Sequence, residues 1–237
     1  ATQKREIEHL TRVETTRIRP YGNVTLYVRS DGADGNTGLS NDAAGAFLTI
    51  QRAIDVACHT YDGGGHSCTI QIQDGTWALT TTLVMHAHRW GGGLVLQGNT
   101  TTPANCILQG NTDGMWIIVS QFASSYITTI KGFKIQRGGA ATNIQGVVCR
   151  LSGKLFLESM DFGNVGSGAH MSASEWAELA INTAYTVSGG AAYHVSSDLN
   201  SWVALGGFTI TFTGTPTIGR WAVSQRNSGV LHRGGGS

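Results

Sequence analysis

Charge is scarce in this sequence. Only 13% of the 237 residues are Asp, Glu, Lys or Arg, about half the share of an ordinary globular domain. The formal net charge is +1, so no global field draws in nucleic acid or anionic lipid. No run is long and apolar enough to cross a bilayer as a helix, and the polar first residues carry no secretory signal. Neither nucleic-acid binding nor membrane insertion is expected. Proline numbers 3, and collagen-like repeats and disordered tracts are absent. The four cysteines, Cys58, Cys68, Cys106 and Cys149, include no CxxC pair, which removes the usual zinc spacing. Without a secretory signal they read as reduced, buried thiols, although Cys58 and Cys68 flank a Gly-rich loop and invite comparison with a disulfide. P-loops, dinucleotide fingerprints and nucleophile motifs are missing, so no cofactor is expected.

Glycine fills much of the gap, at 33 residues, about twice its usual share. Thr, Ser, Asn and Gly occupy the polar positions, as in a turn-rich β protein with uncharged outer faces. Residues 1–20 differ: Lys4, Arg5, Glu6, Glu8, Arg12, Glu14, Arg17 and Arg19 crowd into them. An arm so unlike the body is expected to be an attachment segment.

A strand is expected over 24–29, then a loop whose Asp31, Asp34 and Asn36 tempt a calcium reading. Their spacing departs from the EF-hand pattern, and tight turns with local side-chain-to-backbone bonds explain them better. No metal is expected there. Phe47, Ile50, Ile54 and Ala57 then fall at helical spacing and make one apolar stripe. A helix that occurs once before a long series of short strands is expected to cap the end of a stacked β structure. Strands are expected over 69–73, 82–86, 94–97, 107–109 and 115–120.

From residue 127 a repeat emerges. Segments 148–157, 170–179, 194–205 and 222–231 overlay, with closing residues Leu157, Leu179, Leu205 and Leu231 and with Ile130 one step earlier. Val147 and Cys149, Ala169 and Met171, Tyr193 and Val195, Trp221 and Val223 alternate as inward positions. Arg150, Ser172, Ser196 and Ser224 alternate as outward ones. Recurring apolar choices at one place in each turn predict side chains stacked along an axis, hence parallel strands in register. The expected fold is all-β: a single-stranded right-handed parallel β-helix with an N-terminal capping α-helix. The expected organisation is an arm at 1–20, an opening strand, loop and helix at 21–60, and rungs over 61–237. No capping helix follows the last rung, so that end is expected to continue or to meet a partner.

Chemistry-bearing residues are few. Glu158 and Glu178 flank aligned leucines and are expected on the outer face, about 8 Å apart. That suits the window of about 6.5–9.5 Å for an inverting glycosidase pair. With no supporting motif nearby, no catalytic residue is assigned, and the pair is the enzymatic alternative. His170 and His194 are expected to form an outward ladder, and His86 and His88 to share one side of a strand without a third metal ligand. Trp176 and Trp202 sit near the aligned leucines, and exposed indole faces suit sugar rings and subunit contacts. They are the carbohydrate-binding candidates.

The stretch LYVRSDGADGNTGLSNDAAGAFLTIQRAIDVA resembles the opening segment of pectate-lyase-like β-helix proteins, above all the phage and prophage tail proteins of that group. TIQIQDGTW, LVLQGNTTTPANC, GAHMSA and YTVSGGAA extend the likeness over residues 24–215. The resemblance implies a virion component of the tail-spike or tail-fibre kind, assembled in the bacterial cytoplasm. It implies a homotrimer whose arm meets tail or baseplate proteins and whose body meets host surface polysaccharide. The calcium-binding aspartates and basic residues of the family's lyases have no counterpart in the rungs. A polysaccharide hydrolase or lyase is therefore the alternative rather than the expectation.

Overall fold

A computed structural model describes residues 17–121 and 126–232. Most of the charged arm lies outside the described residues. At its end, Arg17 donates to the carbonyls of Cys58 and Tyr61, and Ile18 bridges Tyr61.

The strands stack into three all-parallel sheets. The first holds eight: Val24–Val28, Cys68–Ile72, Leu94–Gln97, Thr128–Lys131, Lys154–Glu158, Glu178–Ile181, Trp202–Leu205 and Gly229–His232. The second runs Gly75–Leu79, Cys106–Gly110, Lys134–Arg137, Asp161–Phe162, Tyr185–Val187 and Ile210–Phe212. The third runs Leu83–Met85, Trp116–Gln121, Gln145–Arg150, Ala169–Ala173, Ala191–Ser197 and Ile218–Ser224. The chain visits the three in turn, one strand each per rung. The result is a right-handed parallel β-helix of about six turns.

Such short strands are stable only because each rung buries its alternate side chains on the next. Leu26, Ile70, Leu96, Ile130, Leu157, Ile181 and Leu205 pair in one continuous ladder along the axis, and all are buried. Gly75, at φ 142°, opens a strand over Gly75–Leu79.

The helix runs Ile50–Asp55 and continues as a π-helical turn over Val56–Thr60. Thr49 caps it, accepting from the Arg52 amide. Ile50, Ile54 and Ala57 are buried. Phe47 is buried too, but as an extended residue bridged to Val28 rather than as part of the helix. The helix packs on the first strands of the first and third sheets. The Gln51 side chain accepts from the Val84 amide and donates to the Val84 carbonyl. One side-chain amide thus completes the edge of the third sheet as a neighbouring strand would. Asp34 accepts from the amides of Leu48 and Thr49 and from the Thr49 hydroxyl, and Asp31 pairs with Arg29. The acidic loop is occupied by its own backbone and an arginine.

The repeat is real, but its register differs from the alignment of leucines. Leu157 pairs with Ile181, and Leu179 pairs with Leu155 and Val203. Each strand of the first sheet offers two inward positions two residues apart, so leucine identity alone cannot choose between them. A two-residue slip preserves parity, and Val147, Cys149, Ala169, Met171 and Val195 are buried as expected. The last rung slips by an odd number and flips. Leu231 pairs with Ala204 and is exposed, while Val223 pairs with Ser196. Tyr193 is only half-buried. Among the described residues no strand follows the last rung, and Phe212 and Trp221 are exposed on it.

Four stacked turns set the true register where the third sheet passes into the first. Leu151–Ser152, Glu175–Trp176, Leu199–Asn200 and Arg226–Asn227 all have positive φ. The Ser152, Trp176 and Asn200 amides donate to the carbonyls of Glu175, Leu199 and Arg226 on the next turn. Arg150 with Glu175, and Arg226 with Asp198, add forked ion pairs across successive turns.

Candidate functional site

Outward side chains of the first sheet form their own ladders. Phe156, Ala180, Ala204 and Leu231 are register partners in one column. Lys154, Glu178, Trp202 and Gly229 form the next. The two alanines leave a depression, and the larger side chains around it make a trough of about 370 Å³. Phe156, Ala180 and Ala204 form its apolar floor, with Trp202, Glu178 and Leu231 around them.

Trp202 is 56% exposed. Its ring leans onto Gly229 of the next rung, where a Cβ would stand 2.6 Å from the indole. Glu178 meets Lys154 at 3.1 Å, both more than half exposed. The arrangement offers an aromatic face, an apolar floor, and an acceptor and donor of opposite charge on one wall. An apolar sugar face with equatorial hydroxyls at its edge has the complementary shape.

Trp176, the other candidate, lies at φ 65° in a stacked turn and is 69% exposed. It precedes the trough strand and does not line the trough. Glu158 does not meet Glu178. It pairs with Lys131, while Glu178 pairs with Lys154 at the other end of the strand. Four residues along adjacent strands put the two Cα positions roughly 14 Å apart, outside the window of about 6.5–9.5 Å. The two-residue slip of the leucine alignment is the cause.

His170 and His194 are register neighbours but not outward. Both are fully buried, because consecutive residues are covered where the third sheet meets the second. Their Nδ1 atoms lie 2.9 Å apart. Phe162 and Tyr185 of the second sheet pack on them, and Trp221 stacks on His194 at 4.2 Å. Burial lowers His170 to about 4, against the opposing pull of the Gly163 and Gly190 carbonyls. Burial and the neighbouring His170 lower His194 to about 3. His86 and His88 follow the strand Leu83–Met85 rather than share it; His86 approaches Asp55, and His88 is buried against Thr128. All four cysteines are free thiols pushed up to about 12 by burial, which makes them inert.

Alternation alone marks the outer face of each strand. It does not reveal that Ala180 and Ala204 sit side by side, which is what makes a trough.

No protein-family model matches the sequence, and no curated protein matches it. Among solved structures, the chain is similar to the pectin methylesterase from Aspergillus niger in deglycosylated form, at 14% identity and a TM-score of 0.46. The likeness covers 94% of this chain and 88% of that one.

Proposed function

We propose that this β-helix is a polysaccharide-binding structural component of a tailed-phage or prophage virion, of the tail-spike or tail-fibre kind. The observation that carries the binding part is the open Trp202 indole beside an apolar floor and the Glu178–Lys154 pair. All of it is mounted on hydrogen-bonded strands, so little ordering accompanies binding. The virion part rests on the resemblance of residues 24–215 to phage tail proteins. A homotrimer, and attachment to tail or baseplate proteins through residues 1–20, follow from the same resemblance. The separation of Glu158 and Glu178 supports a non-catalytic reading.

Glycan-array binding followed by titration calorimetry tests the site. Trp202→Ala is expected to weaken the best capsule or lipopolysaccharide fragment about fivefold to tenfold, the loss of one aromatic stacking contact, with the melting temperature unchanged. Equal binding by the variant overturns the trough as the site. New reducing ends or unsaturated sugars on incubation with host polysaccharide overturn the non-enzymatic reading. Detection of the chain on intact cells but never in purified particles overturns the virion assignment.

A further inference from the structure

The buried histidine pair takes no part in the trough, yet it forms a hydrogen-bond chain with a single neutral wiring. The Gly163 carbonyl only accepts, so His170 Nε2–H donates to it at 2.8 Å. In a neutral imidazole the other nitrogen then accepts. His194 therefore donates from Nδ1–H to His170 Nδ1 at 2.9 Å. Its Nε2 is left to accept from the Tyr185 hydroxyl at 3.0 Å. The chain ties the second sheet to the third across two stacked rungs, through Gly163 and His170 in one and Tyr185 and His194 in the next. Trp221 of the terminal strand lies over its outer end.

Three contacts hold three protons. A fourth either sets two N–H groups against each other or turns the Tyr185 hydroxyl out of its bond. A fifth, with both imidazoles charged, forces Nδ1–H against Nδ1–H. Among the described residues no carboxylate faces the pair to offset the charge. The elements packed on it present Phe162, the Gly163 and Gly190 carbonyls, Tyr185 and Trp221, and two carbonyl dipoles do not neutralise two charged imidazoles. Asp161, next to Phe162, alternates to the opposite side of its strand and pairs with Lys134. Arg220, next to Trp221, is a cation. Tyr185 cannot serve as the counter-charge, since burial raises its hydroxyl well above the ordinary phenol range.

We propose that the Tyr185–His194–His170–Gly163 chain is an acid-operated latch that holds the last two rungs closed at neutral pH and releases them when the imidazoles take up protons. The opened rungs expose both histidines to water, where they titrate near their ordinary value of about 6.5. The open population then grows toward about tenfold per pH unit for each imidazole below that value, hence about three hundredfold between pH 6.5 and pH 5 for both.

Hydrogen–deuterium exchange of the full chain at pH 7 and pH 5, corrected for intrinsic rates, tests this. Residues 191–197 and 218–224 are expected to lose protection by about a hundredfold or more at pH 5. Residues 24–28 and 68–72 of the first rungs should keep theirs. Retained protection at 191–197, or an equal loss in the first rungs, overturns the latch. In the His170→Gln/His194→Gln double variant the pH response of 191–197 should disappear; a response of the same size overturns the assignment to these residues. Histidine nitrogen NMR of the unaltered chain gives a readout that does not depend on the variant folding. Neutral tautomers protonated at His170 Nε2 and His194 Nδ1, persisting at pH 5.5, are expected. Free titration of either near pH 6.5 in the folded state overturns the proposal.

Discussion

Trp202 is open because Gly229 is its neighbour on the next rung. Gly229 has no positive φ, so its backbone does not require glycine. A Cβ there would stand 2.6 Å from the indole, well inside contact distance, so the ring itself must turn. Gly229→Val is therefore expected to leave the rung intact while rotating Trp202 away from the trough. Sugar binding should fall by severalfold, with a melting temperature within a few degrees of the parent, as read by calorimetry and thermal denaturation. Unaltered affinity would mean that the indole orientation does not matter. A contrasting close approach occurs at Gly63, where a Cβ would meet the buried Trp90 ring at 2.0 Å. That ring is fixed by its Nε1–H bond to the Ala57 carbonyl and has nowhere to go.

The elements that fix this solenoid are the end cap and the stacked turns. The cap works by two devices, apolar burial of Ile50, Ile54 and Ala57 and the Gln51 amide standing in for a peptide group at Val84. The stripe was legible in the sequence as a period. The Gln51 contact was not, since nothing local distinguishes it from a solvated glutamine. The turns bend in the left-handed region at eight non-glycine residues, each costing about 1 kcal/mol against glycine. They persist because each of the first three turns donates a backbone bond to the next. Leu199 and Asn200 occupy the pair of positions that Asn-Gly fills best. The double substitution Leu199→Asn/Asn200→Gly should stabilise the protein by about 1 kcal/mol, raising the melting temperature by about 2–4 °C. A lower melting temperature would show that Leu199 contributes packing that outweighs its strained backbone.

At the scale of the whole molecule, acid acts through three buried imidazoles. Burial lowers His88 and His170 to about 4 and His194 to about 3, all below the ordinary value. The folded chain thus binds fewer protons than the unfolded chain below pH 6.5. Stability is complete above that value and is lost as pH falls toward 4 and 3. Three groups at about 1.4 kcal/mol per pH unit each give a slope of about 4 kcal/mol per unit below pH 5.5. The melting temperature should be level from pH 8 to 7 and then drop by about ten degrees per unit. A flat profile down to pH 4.5 would mean that the histidines are hydrated in the fold.

What the sequence determined by itself is the architecture. Short apolar–polar alternation, glycine-rich turns and a recurring apolar choice every 22–27 residues leave little but a parallel solenoid, because only rungs in register stack such positions. It also determined the parity of residues such as Val147, Met171 and Val195, since an even slip leaves inside and outside unchanged. What only the tertiary structure decided is which rung residue meets which. Strands with two equivalent inward leucines have no local signal for register, and the left-handed turns that impose it are carried by Leu, Ser, Glu, Trp, Asn and Arg rather than by the expected glycines. Register in turn separated Glu158 from Glu178. It joined Trp202 to Ala180 and Leu231 and enclosed His170 and His194 behind Phe162, Tyr185 and Trp221. A site is a set of distances between rungs, and those distances are created when the rungs stack.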